Sequence, residues 1–190
     1  MTATRSASCI FPIVLGILLF GLAPVLAQGD YSFMPKGGKT LLLEILGSPP
    51  DEKELRKVAG ERRNEEEWRR TFAVRGKTLS EREWRTLAAY LAVNMPLPED
   101  GLAQAEKRGG LVTALPRDGR ELAWNECQFC HSLFTSHLTQ DRSVQAWLNM
   151  FQSPFHREMK MTAQEREEFS RYSTINMPMR VEDVPKDLRF

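Results

Sequence analysis

The stretch "SEREWRTLAAYLAVNMP" runs from Ser80 to Pro96, and "TAQEREEFSRYSTINMP" runs from Thr162 to Pro178. Each opens on a hydroxyl residue with a glutamate three positions later: Ser80 with Glu83, Thr162 with Glu165. In such a pair the hydroxyl and the carboxylate each satisfy an orphan backbone N–H, so both pairs mark helix starts. Each helix then carries an apolar stripe at helical spacing: Trp84, Leu87 and Leu91 in one, Phe169, Tyr172 and Ile175 in the other. Tyr90 matches Tyr172, and each copy ends on Asn-Met-Pro, at Asn94–Pro96 and at Asn176–Pro178. Ahead of the two helices stand Trp68 and Trp147, and an insertion of three residues in the second copy reconciles the offsets. The matching Trp, cap, Tyr and Asn-Met-Pro, in order, read as a duplicated helical unit.

Outward from these helices the pattern stays helical from Leu41 onward. Few runs show the alternation and β-branched enrichment of strands, so an all-α fold is expected. Residues 98–120 hold four glycines and two prolines and read as a connector, with a boundary near Gly110. The expected organisation is therefore a polar, turn-rich arm over residues 28–40, a first helical domain over 41–110 and a second over 111–190. The run "EKELRKVAGERRNEEEWRR", Glu52–Arg70, mixes signs at helical spacing and reads as a solvated face with i,i+4 pairs, or as a charged surface for docking a partner. Charged residues make up 27% and hydrophobic ones 42%, ordinary for a globular protein. A net charge of +1 gives no reason to expect nucleic acid or an anionic membrane as partner.

The first residues differ from the rest. Arg5 is the only charge before Asp30, and Ile10–Ala27 is an apolar run broken by Pro12, Gly16, Gly21 and Pro24. Val25 and Ala27 sit at the −3 and −1 positions of a cleavage site before Gln28. Residues 1–27 thus read as a secretory signal peptide, with no stable membrane span after its removal. The competing reading is an uncleaved anchor, since about 18 apolar residues could just cross a bilayer. Cys9 would be lost on cleavage, leaving Cys127 and Cys130 in an exported, periplasmic chain. Free thiols rarely persist in an oxidising compartment, so the pair should be crosslinked or bound to a metal or cofactor.

Those two cysteines sit in "WNECQFCHSLF", Trp124–Phe134, with His131 directly behind the second. C-x-x-C-H is the pattern of c-type haem attachment: two thiols spaced to meet two vinyl groups, and an imidazole placed to reach the iron as proximal ligand. A redox dithiol would also use C-x-x-C but expects a strand feeding a helix, and the surroundings look helical. A structural zinc site needs four ligands, which Cys127 and Cys130 could reach only with His131, His137 and His156 suitably placed.

With "CQFCH", the following "SLF", the "VQAWL" helix and the capped last helix ending near a tyrosine, residues 122–175 resemble a class I-type cytochrome c domain. It is similar to the small haem domains that serve periplasmic dehydrogenases. The resemblance implies one covalently bound haem c, held by Cys127 and Cys130, with iron on His131. The first half resembles the same unit without a haem motif, since no Cys or His lies between Leu41 and Trp68.

The resemblance further implies a methionine on the distal side of the iron. Met159 is the first choice, because it precedes the last helix and faces Lys77, no core residue, in the other copy. Met161, which matches Leu79, is the second. Met177 is the third, because the haem-free copy keeps Met95 at its place. Met150 and Met179 are further methionines, and His156 would give a bis-histidine haem of lower potential. Trp124 and Phe129 could cover the haem edge. No catalytic nucleophile or acid–base constellation stands out elsewhere, so the expected role is electron transfer rather than catalysis. The partner would be a periplasmic redox protein: a dehydrogenase, an oxidase or another cytochrome. The alternatives are a haem enzyme or ligand sensor with an open sixth site, and a periplasmic dithiol oxidoreductase.

Overall fold

A computed structural model describes residues 31–73, 79–107 and 109–189 of the chain. The expected leader and the first residues of the arm lie outside them, as does Lys77. The secondary structure is helical throughout, and no strand occurs among the described residues. In chain order the helices are α1 (Gly38–Leu46), α2 (Glu52–Gly60), α3 (Glu65–Ala73), α4 (Glu81–Asn94), α5 (Glu99–Lys107), α6 (Gly119–Cys127), α7 (Val144–Met150), α8 (Pro154–Arg157) and α9 (Ala163–Asn176). A π-helical turn, Phe134–Leu138, sits between α6 and α7. No helix of the described residues is long and apolar enough to cross a membrane.

The same local devices occur in both halves. Helices α4 and α9 each start in a complete capping box, Ser80 with Glu83 and Thr162 with Glu165. Helices α3 and α7 bury Trp68 and Trp147, each with an arginine over its ring, Arg63 at 5.5 Å and Arg142 at 4.9 Å. In the first half α1 and α3 pack on α4; in the second α6 and α7 pack on α9. Gly38 and Gly119, the first residues of α1 and α6, allow the closest of these contacts. A Cβ at Gly38 would overlap Cβ of Tyr90, and one at Gly119 would overlap Cβ of Tyr172.

Helices α4 and α9 also pack on each other, and the contacts are reciprocal. Asn94 Nδ2 donates to Glu168 at 3.3 Å, and Asn176 Nδ2 donates to Thr86 Oγ1 at 3.0 Å. Lys39 Nζ pairs with Glu121 at 3.2 Å, and Arg120 Nη2 donates to Thr40 Oγ1 at 3.0 Å. Each pair joins a position of one half to the counterpart of its partner in the other, which is the form of an isologous interface.

Two apolar clusters form the core, and they do not divide where the chain does. The first gathers residues of α1 to α5 and also Leu111 and Leu115. The second gathers residues of α6, α7 and α9 and also Met34. Tyr31 and Phe33 meet Trp124, with ring centroids 5.7 and 6.1 Å away. The hydroxyl of Tyr172 donates to the Pro35 carbonyl at 2.7 Å, and that of Tyr90 donates to the Pro116 carbonyl at 2.9 Å. The segment leading into each half thus lies on the other half.

The stretch expected as connector contains α5. Pro98 precedes it, Glu99 and Asp100 occupy its first turn and Lys107 its last, an order that complements the helix dipole. Asp118 and Glu121 form a third capping box at the start of α6. Asp118 is fully buried there, and burial raises its carboxyl above the ordinary value despite pull from the backbone of Glu121 and Thr40.

Candidate functional site

Helix α6 carries the cysteines. Its capping box fixes its start, and Leu122, Ala123 and Trp124 bury its inner face. It ends at Cys127, so Cys130 and His131 fall on the turn that follows. When α1 and α6 are matched on Gly38 and Gly119, Cys127 takes the place of Leu46, Cys130 that of Pro49 and His131 that of Pro50. The cysteine-histidine turn therefore stands where the first half has a Gly-Ser-Pro-Pro turn.

Cys127 and Cys130 are not bonded to each other. Cys127 is partly buried against the second core cluster. Burial, with help from the Glu126 charge, pushes its thiol up to about 12. Reactive redox cysteines show the opposite, a depressed value that yields thiolate. The dithiol reading also lacks its strand. Among the described residues no three or more His, Cys, Asp or Glu side chains gather to hold an ion, so nothing assembles the four ligands of a structural zinc.

Cys130 and His131 are exposed. Beside His131 lies a hollow of about 360 Å³ lined by Trp124, Leu133, Phe134, Leu138 and Leu188. Two large aromatics stand outside the core nearby in sequence: Phe129 between the cysteines, 78% exposed, and Phe155 before His156, 90% exposed. The His131 ring meets that of His156, with centroids 6.0 Å apart and planes inclined at 64°. His156 is on α8, and its Nδ1 lies 2.8 Å from the hydroxyl of Ser153.

These features fit a covalently held haem. Two unlinked thiols one turn apart precede an exposed imidazole, an apolar hollow adjoins it, and exposed Phe129 lies two residues before it in the chain.

The remaining candidates lie in or against the core of the second half. His137 is 2% exposed between the rings of Trp147 and Phe169, each 5.2 Å away. Its Nε2 lies 2.8 Å from Ser173 Oγ, whose own proton goes to the Phe169 carbonyl, so Nε2 is the protonated nitrogen. Burial and the Arg142 charge push His137 down to about 3, so it stays neutral. Met161 and Met177 are buried in the second cluster, and Met95, the counterpart of Met177, is buried in the first. Met159, Met150 and Met179 are partly buried against the second cluster. Met159 also lends its carbonyl to Arg166 at 3.2 Å.

The sequence named both histidines but not their meeting. Twenty-five residues separate His131 from His156, and no local periodicity links them. A signal was present in "SPFHR", a serine and N1 proline ahead of a histidine, which starts a short helix. Comparison with protein-family models, with curated proteins and with solved structures finds no match to this chain.

Proposed function

We propose that the protein is an exported monohaem c-type cytochrome, a one-electron carrier that works with a periplasmic dehydrogenase or another periplasmic redox protein. The observation that carries this reading is the turn after α6, where unlinked Cys127 and Cys130 lead into exposed His131 beside an apolar hollow. Cys127 and Cys130 would hold haem c through thioethers, and His131 would be its proximal ligand. When bound, haem c supplies one-electron exchange between ferrous and ferric iron. The chain would contribute a low-dielectric wall from Trp124, Leu133, Phe134 and Leu138, and Asp118 and Glu121 would fix the helix that carries the first cysteine. The first half, with Leu46, Pro49 and Pro50 at the matching places, would be a haem-free cytochrome c-like partner that packs and orients the second. The helical surroundings of the two cysteines, with no strand feeding α6 among the described residues, support this reading over the dithiol oxidoreductase.

The test is expression with the native leader in a host that matures c-type cytochromes. Haem that stays on the polypeptide through a denaturing gel, in the periplasmic fraction, is the expected result, with loss of the stain in a Cys127→Ala, Cys130→Ala double variant. Unmodified polypeptide under those conditions overturns the proposal.

A further inference from the structure

The rings of His131 and His156 lie edge to face, His131 on the turn after α6 and His156 on α8. Two imidazoles on opposite sides of an ion, each nitrogen about 2 Å from it, have ring centroids about 6 Å apart. The centroids of His131 and His156 are 6.0 Å apart. The chain also prepares His156 for such a role. Ser153 is the N-cap residue of α8, yet its side chain makes no capping hydrogen bond. Its hydroxyl is instead 2.8 Å from Nδ1 of His156. A partner on Nδ1 leaves Nε2 free, and ligating histidines characteristically have such a partner on the other nitrogen, which fixes tautomer and ring orientation.

The methionines are built differently. Met177 repeats the burial and the backbone bond of Met95 in a half that has neither Cys nor His at the matching turn: Met95 N–H donates to Leu91, Met177 N–H to Ser173. That makes it a packing residue in both. Met161 is 6% exposed in the second cluster. Met159 lies three residues past His156, and its N–H donates to the His156 carbonyl at 3.3 Å, so it closes the α8 turn that presents the imidazole.

We propose that His156 is the distal ligand, so that the haem of this protein is held between two imidazoles, with Ser153 as the residue that positions the second. The inference rests on the cytochrome reading above. It implies a carrier of lower potential than one with a thioether ligand. It also implies a closed sixth position, which a peroxide- or NO-binding enzyme would not have.

The experiment uses the full-length, haem-loaded protein and three spectroscopic readouts. The ferric wild type should lack the weak far-red band of thioether ligation. The ferrous wild type should keep its Soret band unshifted under carbon monoxide, whereas ferrous His156→Ala should shift. His156→Met should raise the reduction potential, and Ser153→Ala should increase the carbon monoxide-reactive fraction about tenfold. A far-red band in the ferric wild type, or ready carbon monoxide binding by the ferrous wild type, overturns the His156 assignment while the cytochrome reading stands. Absence of covalent haem overturns both. The wild-type spectra decide the point without any variant that might misfold.

Discussion

Glu168 is a carboxyl group buried on α9 between α4 and the start of α6. It is 2% exposed, accepts the Gly119 N–H at 3.0 Å and receives Asn94 Nδ2 at 3.3 Å. Burial first, and the charge of Asp118 second, push its carboxyl up to about 8. In the unfolded chain a glutamate titrates near 4.3. Between those values the folded protein keeps a proton that the unfolded chain has released. The associated stability is complete below the unfolded value and is lost as pH rises through the folded one. The urea midpoint should therefore fall between pH 5 and pH 9 more steeply in wild type than in Glu168→Gln. The amide variant should be the more stable of the two at pH 9, by on the order of 2 kcal/mol. Equal slopes in the two proteins would remove Glu168 as the source. None of this was visible in the sequence, where Glu168 is one acid in the charged run "EREE"; burial of that position depends on α4, 74 residues away at Asn94. Cys127, Cys130 and His131 stand out in the sequence by their spacing, and the structure places Cys130 and His131 on the turn after α6. His137 and His156 looked equivalent, and burial separates them.

At the scale of the helix, start signals decide where elements lie. The boxes of α4 and α9 are local, complete in four residues, and were readable without any knowledge of packing. The box of α6 follows the same grammar, but Asp118 lies near the end of the stretch over 98–120 whose glycines and prolines read as a connector, and α5 was hidden for the same reason. Helix content was thus legible where apolar periodicity and caps coincide, and illegible where a helix is short and flanked by glycines. The three boxes should differ in worth. Ser80→Ala and Thr162→Ala remove caps at solvent-facing ends and should each cost about 1 kcal/mol. Asp118→Ala removes a fully buried cap whose carboxylate no water can replace, and should cost about 2–3 kcal/mol. Chemical denaturation of the three variants at pH 7 measures the order; equal losses would mean that burial adds nothing to the Asp118 cap.

For the whole molecule, the two apolar clusters are locked together by exchanged segments. Met34 completes the second cluster from ahead of α1, and Leu111 and Leu115 complete the first from ahead of α6. Neither half holds its own full core. Hydrogen exchange should therefore find the central amides of α4 and α9 opening with one free energy, as a single cooperative unit. Tyr172→Phe, which loses only the bond to the Pro35 carbonyl, should lower both by about 1 kcal/mol. Protection that falls in α9 alone would show the halves to be independent. Sequence comparison of the halves showed the repeat but not this exchange, because alignment reports which residues correspond and says nothing of which ones touch.

The reciprocal interface has a further consequence. In a dimer of identical chains, whatever stands at a position near the symmetry axis stands there twice. Here the two copies share one chain, and the places can diverge. Glu168 occupies the position that Thr86 fills in the other copy. A pair of identical chains with glutamate there would have to neutralise two acids at its axis; this chain carries one acid and answers it with the amide of Asn94. The same freedom places the Cys127–His131 turn on a single flank and leaves proline at Pro49 and Pro50 on the other. Two halves joined in one chain can thus keep reciprocal contacts at their interface while their outer turns differ, which gives the frame a distinguishable front and back.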